Sequence, residues 1–206
     1  AAPRALLLLV GTATDRAYVA RLRAEHADLL ARGRVRLVPF ETWVDHALSA
    51  ADVFVANSYF EGWSVAASEA LWAGLPLVLS ECGGSRELVG AAGERGRLVP
   101  NAAGDPIELS PRVLEHPDPA GIERNREALV RAMLETLQVG GGTDGRNGVP
   151  DPESVRAEAR AFAREQLAAA KMARRHAEVL RRVAAGGASA GATAIGSVPS
   201  SSVPGH

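Results

Sequence analysis

The stretch that decides the fold runs over residues 51–76 and reads ADVFVANSYFEGWSVAASEALWAGLP. Its residues 53–56 are apolar without alternation, which is typical of a strand covered on both faces. Residues 64–73 have a helix-forming composition, and Gly74 and Pro76 mark the point where that helix stops. The stretch therefore predicts a buried strand, a loop and a helix.

Short apolar strands and helical patterns also alternate on both sides of this stretch. Because strands that alternate with helices form parallel sheets, we expect an α/β fold, a Rossmann-like parallel sheet with helices on both faces. The sequence predicts strands at residues 6–10, 35–38, 53–56, 77–79 and 98–99 and a further helix at residues 122–137.

The chain divides by composition into four parts. Residues 1–137 are predicted to form the Rossmann-like domain. Residues 138–152 are predicted to be a flexible linker, because their central part is rich in glycine and lacks apolar residues. Residues 153–184 are predicted to form one amphipathic helix with a narrow apolar stripe. The Gly-, Ala-, Ser- and Pro-rich residues 185–206 are expected to be a disordered tail.

Composition restricts the possible partners and the compartment. The 23 basic and 24 acidic residues give a net charge of -1, which favours neither nucleic acid nor an anionic membrane. The longest apolar run, residues 5–10, is too short for stable membrane insertion. Cys82 is the only cysteine, which excludes an intramolecular disulfide. We expect a cytoplasmic protein, with any peripheral contact at the inner face of the membrane made through the full-length protein.

The loop that joins the strand and the helix is the predicted binding site. A parallel strand delivers the chain, just after Asn57, to the crevice where open α/β sheets bind ligands. Gly62 lets the backbone pass close to a ligand. Ser64 opens a helix whose free N–H groups and positive dipole end favour a phosphate. A diphosphate is therefore predicted at the amides of Ser64, Val65 and Ala66.

Two carboxylates flank this helix end at different depths. Glu61 lies just before the helix, and Glu69 lies about one and a half turns into it. Carboxylates accept hydrogen bonds from vicinal sugar hydroxyls, at roughly 1.5–3 kcal/mol net for each charge-assisted bond. Two sugars joined by a diphosphate would satisfy both carboxylates. Taken alone, however, such an acidic pair is more often a solvated helix face.

Several ordered sequence blocks surround this pair. After the strand come Ser58 and Glu61-Gly62-Trp63, then Glu69-Ala70 and Ala73-Gly74-Leu75-Pro76, and later Gly83-Gly84 and Glu87-Leu88-Val89. This order resembles the donor-binding signature of the family-four retaining glycosyltransferases, and the similarity extends over residues 6–100. Because several blocks match in order, the resemblance is far more specific than one pair of glutamates. It implies the carboxy-terminal, donor-binding half of a two-domain GT-B fold.

The resemblance implies roles for the matching residues. In that family, the counterpart of Glu61 contacts hydroxyls of the transferred sugar. The amides matching Ser64 and Val65 hold the diphosphate, and the counterpart of Glu69 binds the nucleotide ribose. Trp63 is expected to pack against the helix, with its amide near the phosphate.

The nucleotide end of the predicted site lies on earlier strands. Relatives place the nucleobase by backbone contacts on the loop that matches Pro39 and Phe40. Gly11 is expected in a strand-to-helix turn beside the nucleotide cleft, while Gly83 and Gly84 are expected to be supporting structure.

The implied reaction transfers a hexose, with retention, from a nucleotide-diphosphate sugar to a sugar, lipid or small-molecule acceptor. In the family, the retention of anomeric configuration is attributed to attack by the acceptor on the face from which the leaving group departs. The departing phosphate receives the acceptor proton, so no protein base is expected. We expect no cofactor, and no metal, because the five histidines lack metal-ligand spacing.

The sequence departs from the family pattern in three respects. Ser64 stands where glycine is usual. The Arg and Lys pair that neutralises the leaving diphosphate in relatives is missing, and so is the amino-terminal acceptor domain. Because the chain opens with Ala1-Ala2-Pro3 and enters a strand at once, we expect a fragment. Because the basic pair and the acceptor domain are missing from it, we expect this fragment to be inactive in isolation.

Other functions remain open on the sequence. A non-catalytic sugar-nucleotide-binding module would keep the site without turnover. A sugar-nucleotide 2-epimerase would share the nucleotide cleft and use acid-base residues from two domains. An NAD-dependent enzyme is the weakest alternative, because no Gly-x-Gly-x-x-Gly follows the first strand.

Overall fold

The computed structural model describes residues 5–12, 14–39, 44–104, 110–116, 118–138 and 152–184 of the chain. The interior of the predicted linker and the whole predicted tail lie outside these ranges. The chain divides into two compact units, Ala1–Arg164 and Glu165–His206.

Strands and helices alternate as the sequence predicts, and strand bounds differ from the predicted ones by one or two residues. The strands are β1 (Leu7–Gly11), β2 (Val35–Pro39), β3 (Phe54–Ala56), β4 (Leu77–Ser80) and β5 (Gly96–Val99). The helices are α1 (Arg16–Glu25), α2 (Ala27–Ala31), α3 (Val44–Ser49), α4 (Val65–Ala73), α5 (Ser85–Val89), α6 (Pro111–Glu115), α7 (Pro119–Gln138), α8 (Pro152–Gln166) and α9 (Ala169–Ala184).

The described strands form two parallel sheets. In the first, β1 pairs with β2, from Leu7 opposite Val35 to Gly11 opposite Pro39. In the second, β4 lies between β3 and β5. The predicted α/β class, with parallel strands flanked by helices, is confirmed. The expected single sheet is instead two, because alternation predicts parallel pairing and does not specify which strands are neighbours.

We call β1, β2 and the two helices between them the two-stranded region, and β3, β4, β5 with α4, α5, α7 and α8 the three-stranded region. The fully buried large side chains all belong to the latter. They are Leu71, Leu75, Leu77, Val78, Leu79, Leu88, Val89 and Val99. Ala132 of α7 packs with Val78 and Val99. The hydrophobic core therefore lies around β4.

Helix α4 has defined ends that fix the site-bearing segment. Ser64 is its N-cap, and the Ser64 hydroxyl accepts a hydrogen bond from the Ala67 amide at 3.3 Å. Gly74 ends the helix with a left-handed φ of 81°. Ala67, Ala70 and Leu71 face the core. The helix is therefore held at both ends and along one side.

The prediction of a single helix over residues 153–184 is wrong, because the structure places two helices, α8 and α9, in that range. Val155, Ala159 and Ala163 of α8 are buried in the first compact unit. In contrast, Met172, Val179, Leu180 and Val183 of α9 are exposed. The apolar stripe thus continues through two different environments, and no glycine or proline marks the break between the helices.

Candidate functional site

The loop of residues 57–63 joins the carboxyl end of β3 to α4, at the predicted position of the site. Three of its backbone carbonyls accept hydrogen bonds from the neighbouring elements. Ser58 accepts from the Ser80 hydroxyl, and Tyr59 accepts from the Asn101 amide nitrogen at 2.7 Å. Gly62 accepts from the Gly84 amide at 2.9 Å. Because its carbonyls are held, the loop has a defined path.

Gly83 and Gly84 are required by the close approach of two loops. A Cβ atom at Gly83 would overlap the carbonyl oxygens of Glu61 and Gly62. One at Gly84 would overlap the indole of Trp63. We expected these two residues to support the site, and their contacts agree with that expectation.

Trp63 is fixed by hydrogen bonds as well as by packing. Its indole nitrogen donates to the Ser68 hydroxyl at 3.0 Å, and that hydroxyl donates to the Ser64 carbonyl at 2.9 Å. The indole therefore bridges the loop to the first turn of α4, while 45% of the residue stays exposed. This contact with the helix agrees with the packing role that the sequence suggested.

The first turn of α4 presents free backbone donors. The Ala67 amide is occupied by the Ser64 hydroxyl, and the Ser68 amide by the Ser64 carbonyl. Within the described part of the chain, the amides of Val65 and Ala66 donate no hydrogen bond, and both residues are exposed. Since a helix N-terminus also carries about half a positive charge, this end can bind an anion.

In the sequence, the two glutamates lie on either side of this helix end. Glu61 is half-buried on the loop, and Glu69 is exposed in the second turn of α4. Neither carboxylate forms an ion pair with another described residue. Both can therefore accept hydrogen bonds from a ligand.

The predicted nucleobase positions belong to the other sheet. Gly11 and Pro39 are register partners at the carboxyl ends of β1 and β2, and both are exposed. No hydrogen bond or ion pair among the described residues connects them with the Glu61 loop. Phe40 lies outside the described residues. Their predicted role stays a prediction.

Sequence reasoning missed the polar residues that support the loop. Asn57 and Asn101 follow the ends of β3 and β5, and Asn125 lies on α7. Polar side chains within two residues of the ends of two parallel strands are a signal that could have identified the first two residues. No local pattern marks Asn125.

Cys82 is buried beside the loop, with its sulfur 3.6 Å from the Ser58 carbonyl oxygen. The described residues contain no group of three or more histidine, cysteine, aspartate or glutamate side chains that could hold a metal ion. They also contain no helix that is long and apolar enough to cross a membrane.

The family described as "Glycosyl transferases group 1" matches residues 1–120, which is more than half of the chain. A search of curated proteins gave no significant sequence match.

Similar solved structures include those of three proteins. Sucrose-phosphate synthase from Thermosynechococcus elongatus is 23% identical, with a TM-score of 0.63 over 90% of this chain and 40% of the synthase. A glycosyltransferase from Rickettsia africae is 14% identical, with a TM-score of 0.66 over 87% of this chain and 40% of that one. HepE from Anabaena, in complex with UDP-glucose, is 21% identical, with a TM-score of 0.56 over 87% of this chain and 41% of HepE.

These likenesses show the fold. The chain spans about two fifths of the length of these solved proteins.

Proposed function

Because the chain belongs to the group 1 glycosyl transferases, we propose that it is the donor-binding half of a retaining glycosyltransferase. The observation that carries this proposal is the exposed N-terminus of α4, where two free amides lie between Glu61 and Glu69. The proposed donor is a nucleotide-diphosphate sugar. The complex of HepE with UDP-glucose supports this class of ligand.

Each part of the donor has a proposed partner. The diphosphate binds the amides of Ser64, Val65 and Ala66, where the helix dipole favours negative charge. Glu61 accepts hydrogen bonds from the transferred sugar, and Glu69 accepts them from the ribose. Both assignments use carboxylates that no described basic side chain neutralises.

The proposed reaction retains the anomeric configuration and requires no protein base. The acceptor hydroxyl attacks the anomeric carbon on the face from which the diphosphate leaves, and its proton passes to a departing phosphate oxygen. The bond from the sugar to the diphosphate breaks as the bond to the acceptor forms. The acceptor is a sugar, a lipid or a small molecule.

Charge on the leaving diphosphate determines how much of this reaction the chain performs alone. Removing one preorganised donor from such a site typically costs about 100-fold or more in rate. Two or three amides are a small part of that stabilisation, so we propose that further cationic groups and the acceptor site are supplied by polypeptide outside these 206 residues. Turnover by this chain alone should be very slow.

Calorimetric titration with UDP, GDP and their glucose conjugates tests the proposal. Glu69→Ala should weaken binding of the bare nucleotide diphosphate at least about tenfold, because a hydrogen bond to a charged group contributes about 1.5–3 kcal/mol. Glu61→Ala should leave that binding intact and remove the additional affinity of the sugar conjugate.

Glu127→Ala is the matched control, because Glu127 is an exposed carboxylate on α7 outside the site. Its titration should match that of the unaltered chain. Equal weakening by Glu127→Ala and Glu69→Ala would refute the assignment of the site. A folded chain that binds none of the four ligands would refute donor binding by this chain.

A further inference from the structure

Asn125 is a buried polar residue that lies far from the proposed site in sequence. It belongs to α7, only 3% of it is exposed, and it lies 68 positions after its hydrogen-bond partner Asn57. Burying an amide is unfavourable unless its hydrogen bonds are satisfied, so its partners explain why it is tolerated.

Both ends of the Asn125 amide are occupied. Its nitrogen donates to the Pro100 carbonyl, and its oxygen accepts from the Asn57 side-chain nitrogen at 2.7 Å. Since a carbonyl can only accept, the nitrogen of Asn125 must face Pro100. The oxygen must then face Asn57, which fixes the orientation of both amides.

These partners lie at the ends of two strands. Asn57 follows the last residue of β3, Pro100 follows the last residue of β5, and β4 lies between those strands. Asn125 therefore connects the carboxyl ends of β3 and β5. Beside it, Asn101 donates to the Tyr59 carbonyl at 2.7 Å.

Asn125 and Asn101 hold the start of the loop that carries Glu61. Asn125 holds it through the Asn57 side chain, and Asn101 holds it through the Tyr59 carbonyl. The diphosphate end of the site is held differently, because Ser64 caps α4 and Leu71 anchors it in the core. A change at Asn125 should therefore move Glu61 more than it moves the amides of Val65 and Ala66.

We propose that Asn125, supported by Asn101, is a positioning residue that sets the place of the Glu61 carboxylate against the donor sugar. It acts through Asn57 and does not touch the donor. This inference rests on the proposed function, because it specifies how one end of that site is preorganised.

Asn125→Asp tests the inference with a nearly isosteric side chain. The aspartate places an oxygen where the nitrogen donated to Pro100, so the connection between the strand ends breaks. The affinity for UDP-glucose should fall about tenfold, while the affinity for UDP changes less than about twofold. Asn57→Ala, at an exposed position, removes the same connection with little risk to folding and should give the same selective loss.

Thr136→Ala is the matched control on the same helix. Its hydroxyl donates to the Ala132 carbonyl within α7 at 2.7 Å, so its removal perturbs α7 without touching the loop. It should leave both affinities unchanged. Equal losses of UDP and UDP-glucose binding in Asn125→Asp and Asn57→Ala would overturn the inference, because they would indicate a purely structural role.

Hydrogen exchange of the Gly84 amide gives a readout that needs no ligand. This amide donates to the Gly62 carbonyl, so it should exchange faster when the loop is released. Unchanged exchange in both asparagine variants would overturn the positioning role. If the unaltered chain binds UDP and UDP-glucose equally, the proposed role of Glu61 fails instead, and Gly84 exchange still reports whether Asn125 holds the loop.

Discussion

The strands β1 and β4 have similar apolar sequences and opposite environments. Leu77, Val78 and Leu79 of β4 are at most 1% exposed, whereas Leu7, Leu9 and Val10 of β1 are each 39–41% exposed. β4 has a strand on each side, and in the described residues β1 has one neighbour, β2. An apolar run therefore predicts that a segment forms a strand. The number of neighbouring strands and helices determines how much of that strand is buried.

The helices around the two sheets differ in the same way. α4 and α5 of the three-stranded region contribute buried side chains, and α1 and α2 of the two-stranded region contribute none. Parallel sheets are normally covered on both faces. We therefore expect the three-stranded region to dominate the free energy of unfolding.

The test with the largest expected effect on stability shortens one leucine in each region. Leu71→Ala should lower the free energy of unfolding by about 2–5 kcal/mol, because Leu71 is fully buried and a cavity would remain. Leu9→Ala should cost less than about 1 kcal/mol, since Leu9 is already well exposed. Urea unfolding followed by circular dichroism measures both. Similar losses in the two variants would show that Leu9 is as buried in solution as Leu71.

Arg95 gives a second test, inside the three-stranded region. Its buried guanidinium donates to the carbonyls of Glu87 and Leu88, lies 3.8 Å from the centre of the Phe162 ring, and pairs with Glu158 of α8. Arg95→Met leaves the two carbonyls without these donors and should cost about 1–3 kcal/mol. The measurement is the shift in the urea midpoint.

The matched control is Arg86→Met. Arg86 forms an exposed pair with Glu81, and such pairs contribute about 0–1 kcal/mol. If the two substitutions lowered stability equally, Arg95 would not connect α5 to α8 in the way that its contacts indicate.

Two left-handed glycines sharpen the comparison further. Gly74 has a φ of 81°, and a Cβ atom there would overlap the side chain of Arg160. Gly33, before β2, has a φ of 64° and open space around it. Alanine in this conformation costs about 1–2 kcal/mol, so Gly74→Ala should lose at least that amount in urea unfolding. Gly33→Ala should lower the free energy of unfolding by less than Gly74→Ala does, because Gly33 has open space around it. A larger loss in Gly33→Ala would contradict the packing of Arg160 of α8 against Gly74.

Much of the site-bearing segment could be predicted from local sequence. The apolar residues 53–56, the cap at Ser64 and the stop at Gly74 determine β3 and α4 through interactions within a few residues. The same local logic predicted where Glu61, Gly62 and Glu69 lie relative to the helix end. Their roles towards a ligand stay predictions.

The remainder depends on contacts between distant residues. The split into two sheets depends on which strands become neighbours, and the break between α8 and α9 has no glycine or proline to mark it. Asn125 reaches Asn57 across 68 positions, so no spacing within either element could reveal the pair. Sequence patterns report local geometry, whereas these features arise from tertiary packing.

The smallest effects come from the two N-caps, and they test where each region unfolds. Asp15 caps α1 by accepting from the Tyr18 amide at 2.9 Å, as Ser64 caps α4. Either cap replaced by alanine should cost about 0.5–2 kcal/mol locally. Ser64→Ala should lower the urea midpoint, because α4 unfolds with the core. Asp15→Ala should instead raise the hydrogen-exchange rates of α1 amides while the urea midpoint stays unchanged, since α1 buries no side chain. Equal shifts of the urea midpoint in the two variants would show that the two regions unfold as one cooperative unit.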